Sequence, residues 1–258
     1  MNNVLLGTYG AVGLFGGMLL AMEIGKRIGQ RRLARDLEGA RAGLGAVEGA
    51  VFGLLGLLIA FTFQGAANRF DVRRSLIVEE ANAVSTAWAR LDMLPATAQP
   101  ALRDLFRRYL DSRLEIYRLL PDVSAAKAEL DRSTAMQQEI WNVATTACRT
   151  DEGRGVIMLV LPPLNQMFDI TTTRTAALRQ HPPMIIFGSL FFLALGCALL
   201  AGFGMAGSKV RSWAHMLGFA AIMSLAVYVI VDLEFPRLGL IRVDALDVVL
   251  QELRSQMK

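Results

Sequence analysis

The sequence predicts an all-α membrane protein: four transmembrane helices, with a bundle of polar helices inserted between the second and third. Three observations carry this reading. Hydrophobic residues make up 53% of the 258, and they gather into four blocks that each approach or exceed the length a bilayer requires. A long charged stretch with helical periodicity and almost no strand signal separates the second block from the third. The cationic residues collect beside the apolar blocks, where headgroups and positive-inside topology favour them.

The same distribution excludes several classes. A net charge of +4 would suit nucleic acid, but its placement at membrane flanks points to the lipid bilayer and to no nucleic-acid partner. Cys148 and Cys197 sit in a polar helix and an apolar span, so no disulfide is expected between them. With His181 and His215 they show no metal-ligand spacing, and no metal or other cofactor is expected. No P-loop, GxGxxG or HExxH is present, and Ser189, Ser212 and Ser224 have no base at catalytic spacing beyond a weak Ser212–His215 pair. An enzyme is not expected.

Residues 4–22 form the first span, uncharged and rich in glycine. Gly10, Gly13 and Gly17 would share a small-residue face for close helix packing, or serve as plain apolar filler. Residues 23–45 read as a loop, an amphipathic or frayed helix at the headgroup level. There Lys26, Arg27, Arg31, Arg32, Arg35 and Arg41 outweigh Glu23, Asp36 and Glu38. Residues 46–67 are the second span and close a first domain, 1–67.

The insert domain, 68–181, begins with a helix over 70–94 that continues the second span and stops at Pro95. A second helix, 99–120, carries Leu102, Leu105, Phe106, Tyr109, Leu110, Leu114 and Tyr117 on one stripe and stops at Pro121. Ser124 is the expected N-cap of a third helix reaching about Arg149. After the turn TDEGRG, a fourth helix over 156–179 must kink or break at Pro162-Pro163. The domain 182–235 holds the third span (182–208, opened by His181-Pro182-Pro183), a tight loop with Lys209 and Arg211, and the fourth span (212–231). Residues 236–258 form a tail with an amphipathic end, 245–258.

The candidate functional residues lie in and just after the second span, VFGLLGLLIAFTFQGAANRFDVRR at 51–74. Gly53, Leu57, Phe61, Gln64 and Asn68 fall on one side of the helix, a mixture that a purely lipid-facing helix does not need. Gln64 and Asn68 therefore face water or bridge to another helix, and Leu57 and Phe61 form either an apolar constriction or ordinary packing. Arg69, Asp71, Arg73 and Arg74 crowd the mouth of the span, as a charged vestibule or as a membrane anchor salt-bridged to Asp71 and Glu79. Glu79, Glu80 and Asn82 are expected to pair with Arg237 or Arg242 in a structural charge network that also takes in Asp232 and Glu234 at the exit of the fourth span. Charge counting puts the 23–45 and 207–211 loops in the cytoplasm and the insert outside.

The stretch VFGLLGLLIAFTFQGAANRFDVRRSLIVEEANAVSTAW resembles the corresponding region of bacterial bestrophins. There a Leu-Leu-Gly-rich helix runs into an Asn-containing turn and an aromatic-Asp-Arg cluster. EEANAVSTAWARLDMLP at 79–95, together with DLEFPRLGLIRV at 232–243, is more closely similar to the bestrophin-like family of bacterial membrane proteins, a domain of unknown function. The resemblance covers nearly the whole chain. It implies a symmetric homo-oligomeric ion channel in the bacterial inner membrane, a pentamer conducting chloride or other small anions. Its apolar neck would fall near Leu57 and Phe61. Bestrophins keep the helical insert cytosolic, the reverse of the charge count. The double Trp that follows the aromatic-Asp-Arg cluster in bestrophins is replaced here by Val72, Arg73 and Arg74, and the calcium clasp of animal members has no match. A non-conducting scaffold or sensor, whose insert binds a partner protein or envelope component, is the other reading.

Overall fold

The computed structural model describes residues 3–35, 44–208 and 212–258, and no strand occurs among them. Eight helices follow in order: α1 (Asn3–Leu33), α2 (Leu44–Arg90), α3 (Gln99–Arg118), α4 (Val123–Cys148), α5 (Ile157–Arg179), α6 (Met184–Gly204), α7 (Trp213–Glu234) and α8 (Asp247–Gln256). Four segments of the described residues are long and apolar enough to cross a membrane. They make this an all-helical, multi-pass membrane protein. Asp36, Glu38, Arg41, Lys209 and Arg211 lie outside the described residues.

The chain divides into two compact units, one formed by Met1–Asn68 with His181–Phe235, the other by Arg69–Gln180 with Pro236–Lys258. In the first unit Leu14, Met18 and Met22 of α1 meet Leu55 of α2, Ala194, Cys197 and Ala198 of α6, and Met216, Ala220 and Val227 of α7. The segment 23–33, expected to be a headgroup-level loop of amphipathic or frayed helix, is helical and continues α1 without a break. Its glycines explain why. A Cβ on Gly25 would stand 1.9 Å from the Leu199 carbonyl oxygen, and one on Gly202 would stand 1.9 Å from that of Met22. Gly29 is as constrained, since its Cβ would meet that of Ala206 at 2.6 Å. Small residues let two backbones touch where lipid supplies no hydrophobic drive for association. The face expected at Gly10, Gly13 and Gly17 is looser: Cβ atoms there would find Phe191 at 3.6 Å, nothing within 4 Å, and Leu195 at 3.1 Å respectively.

The second unit is a water-type bundle with one apolar core. Ile77 and Val84 from the last turns of α2, with Leu91 just after it, pack with Leu102, Phe106 and Leu110 of α3, Ile140 and Ala144 of α4, and Val160, Leu164 and Met167 of α5. The predicted continuity of the second span holds: α2 is one helix of 47 residues that ends in a short 3-10 turn, Leu91–Met93, just before Pro95. The N-cap of α4 is Asp122 rather than Ser124; its carboxylate accepts from the backbone N–H groups of Ser124 and Ala125 at 3.0 Å each. Those bonds hold the Asp122 carboxyl below its usual range. Of the kink or break expected in α5, the break does not occur: the helix runs on through Pro162 and Pro163. The pair removes two backbone donors, but Val160, Leu164 and Met167 on either side are no more than 1% exposed, and their burial holds the helix together. The tail belongs to this core too, through Val243, Leu250 and Met257.

Candidate functional site

Residues Gly53, Leu57, Phe61, Gln64 and Asn68 of α2 are all exposed in the subunit. Leu57 is 52% and Phe61 68% accessible, while Leu55 and Ala66 on the other side of the helix are fully buried. The buried side is seated by Phe52 against Phe219, ring centroids 5.8 Å apart, and by the Cys197 thiol donating to the Val51 carbonyl. Only 6% of the apolar window of α2 is buried, against 39% for α7, so α2 is the span least covered by its own chain. The amides of Gln64 and Asn68 have no hydrogen-bond partner among the described residues, whereas Thr62 is satisfied by the Leu58 carbonyl at 2.7 Å. An exposed amide on a membrane helix must find water or a second protein surface.

The four charged residues after the span separate into two kinds. Asp71 and Arg74 are exposed and paired at 3.5 Å, with the Arg74 guanidinium 5.8 Å from the Phe70 ring. Arg69 is half-buried. Arg73 corrects the vestibule expectation: it is 4% exposed, and it donates to the carbonyls of Ala177 at 3.1 Å and Gln180 at 2.9 Å. A guanidinium at the orphan carbonyls of the last turn of α5 is a helix cap that also complements the negative end of the helix dipole.

The predicted charge network is replaced by a different one. Glu80 does not pair with Arg237 or Arg242. Its carboxylate, fully buried, takes Arg113 at 2.6 and 3.2 Å and is also bonded by Arg174. The Arg113 guanidinium donates as well to the Tyr117 hydroxyl at 3.2 Å. Three guanidiniums approach the Tyr117 ring: Arg113 at 5.8 Å, Arg174 at 4.7 Å and Arg237 at 3.9 Å from its centroid. Arg237 in turn binds Asp247 at 2.6 and 2.8 Å and Asp244 at 3.0 Å, and Asp244 also receives Arg242. Three acids therefore balance three buried arginines. Glu79 and Asn82 are exposed. Asp232 and Glu234 are buried in the first unit, where the Glu234 carboxylate lies 3.4 Å from the His181 Nδ1.

Glu80 lies more than three turns beyond the apolar stretch that ends at Ala67. Burial alone would raise its carboxyl, but Arg113 and Arg174 outweigh that and hold it down at about 2. Burial opposes the charge of Arg113 as well, and Glu80 more than offsets it, so that guanidinium sits above its ordinary range. Burial pushes the neighbouring Tyr109 phenol up, and its oxygen accepts from Gln137 at 3.1 Å.

Sequence reading missed Arg113, Arg174 and Tyr117 as a cluster, although a signal was present. Arg113 stands in the stripe Phe106–Leu110–Arg113–Tyr117, Arg174 follows Met167 and Thr171, and Glu80 lies between Ile77 and Val84. A charge at a core position of three amphipathic helices requires mutual partners. The Ser212–His215 pair does form, as an exposed contact within the first turn of α7.

Among the curated proteins and the solved structures compared with this chain, none matches. A family model described as Bestrophin-like domain matches residues 12–246. That span runs from α1 through the apolar helices and the insert into the turn before α8, so it takes in both the α2 stripe and the arginine cluster. The chain belongs to the bestrophin-like family.

Proposed function

We propose that the protein is one subunit of a homo-oligomeric ion channel of the bacterial cytoplasmic membrane, a pentamer by resemblance, that passes chloride or other small anions. The α2 face Gly53–Leu57–Phe61–Gln64–Asn68 lines the pore. One observation carries the reading: this face is exposed in the subunit and ends in two amides, Gln64 and Asn68, that have no hydrogen-bond partner among the described residues. Copies of α2 around an axis would give those amides water and would bring Phe61 and Leu57 into an apolar ring of the kind that gates by dewetting. Family membership supports a channel-like role for the spans. Arg69 and Arg74 at the mouth would raise the local anion concentration, with Asp71 moderating the effect.

The test is aqueous access. Gln64→Cys and Asn68→Cys, in channels reconstituted into liposomes, should react with a charged, membrane-impermeant thiol reagent and lose flux. Absence of reaction in folded oligomers would contradict a wet face and favour a non-conducting scaffold, in which the amides bond across copies. Arg74→Glu should shift the reversal potential toward cations, and an unchanged potential would remove Arg74 from the vestibule. Arg73→Glu should instead destabilise the fold, since it strips the carbonyl cap of α5.

A further inference from the structure

We propose that the second unit binds a free α-amino acid whose side chain ends in a neutral hydrogen-bond donor, in a groove between α4 and α5. Two contacts fix how these helices run. Trp141 packs edge-on against Phe168, ring centroids 6.4 Å apart, and one turn nearer the start of α4 the Gln137 amide meets the Thr171 hydroxyl oxygen at 3.0 Å. The helices are therefore antiparallel, with 141 facing 168 and 137 facing 171. Beyond the second contact they leave a groove of about 550 Å³, within the range of small-molecule sites.

The outer end of the groove carries one charge of each sign. Asp131 lines it from α4 and Arg179 from α5. Neither has an ion-pair partner among the described residues, and they do not pair with each other. An α-ammonium at Asp131 and an α-carboxylate at Arg179 satisfy both, and a free amino acid carries the two on one carbon. The inner end sets the side chain. Thr171 gives its hydroxyl proton to the Phe168 carbonyl at 2.7 Å, so its oxygen only accepts, and the Gln137 atom facing it is the donor Nε2. Nε2 also donates to the Tyr109 hydroxyl at 3.1 Å. Both amide protons are thus committed, and Gln137 Oε1 is left as an acceptor with no partner among the described residues. Thr134 and Thr175 spend their hydroxyl protons on carbonyls one turn back in their own helices, at 3.0 and 2.8 Å, and they too offer oxygens. They stand three and four residues inward from Asp131 and Arg179, roughly 4.5–6 Å along the helices, within reach of a short amide side chain. Neutral acceptors take a donor and repel a carboxylate. An ammonium there would lack a countercharge, because no other acid lines the groove among the described residues.

The experiment uses the full-length protein in lipid nanodiscs and tritiated L-asparagine. Binding should saturate, with a half-point below about 1 mM. Asp131→Asn and Arg179→Gln should each weaken it about tenfold or more. Both side chains are exposed, so neither change should move the melting temperature. Unlabelled L-asparagine should compete. N-acetyl-L-asparagine, which lacks the ammonium, and L-aspartate, whose side chain only accepts, should compete at least tenfold less well. Absence of saturable binding up to about 10 mM, or binding indifferent to both variants, would overturn the site. Equal competition by N-acetyl-L-asparagine would overturn the zwitterionic head. Stronger competition by L-aspartate or L-lysine would overturn the neutral donor side chain.

Discussion

The core of the first unit and the core of the second are both helical and both tight, yet they are built from different materials. Between α1 and α6 the helices approach so closely at Gly25, Gly29 and Gly202 that a Cβ there would fall within 3 Å of the facing backbone. At the centre of the second unit the closest contacts are ionic, with Glu80 held between Arg113 and Arg174 and three guanidiniums around Tyr117. The difference follows from the solvent. In a bilayer, burying one more leucine gains little over leaving it in lipid, so association depends on close packing. In water, amphipathic stripes drive assembly by hydrophobic burial. A charge placed on such a stripe is then tolerated only with full pairing.

The largest effect should come from unpairing the ionic core. Glu80→Gln leaves Arg113 and Arg174 buried with no countercharge, an expected loss of about 3–5 kcal/mol. Thermal unfolding read through Trp88 and Trp141, both packed in the second unit against Phe106 and Phe168, would report it. An equal stability for Glu80→Gln would break the contrast between the two cores. The native protein should also show acid sensitivity from this group. With a carboxyl at about 2 when folded and 4.5 as the reference, its contribution is complete above pH 4.5 and is lost as pH falls toward 2. Glu80→Gln should flatten that part of the stability profile.

A smaller effect is expected where backbones cross in the first unit. Gly25→Val forces α1 away from α6 and should cost about 1–3 kcal/mol or more, whereas Gly13→Val, with nothing within 4 Å, should be close to neutral. Detergent-solubilised melting curves of the two variants compare them directly, and equal losses would mean that glycine content rather than contact sets the stability. The smallest effect belongs to a surface pair. Arg254→Ala removes the bonds to Asp111 at 2.7 and 2.9 Å, but both groups are partly exposed, so the loss should be below about 1 kcal/mol. A larger loss would show that α8 is held to α3 by this pair rather than by Leu250 and its apolar neighbours.

Much of this architecture can be read from residue order. Apolar blocks give the spans, Pro95 and Pro121 mark the helix ends, and the stripe on α3 marks its buried face. The end of α1 was less legible because Lys26 and Arg27 suggested the headgroup level, while Gly25 and Gly29, one turn apart and opposite Arg27, bind the helix to α6. The charge cluster was legible only in part: Arg113, Arg174 and Glu80 stand at core positions, but no local pattern says which arginine meets which acid over separations of 33 and 94 residues. Arg73 and Arg74 look alike in sequence, and only the end of α5 distinguishes the buried one from the exposed one. The α2 stripe was fully visible as a face, because it depends on helical period alone.

The channel reading stands on that stripe, and ion flux from liposomes holding purified oligomers tests it most directly. Native protein should pass chloride slowly, and Phe61→Ala, by removing the bulk of the apolar ring, should pass it faster. Absence of flux from either protein, with folding and oligomerisation verified in the same sample, would contradict a pore lined by α2.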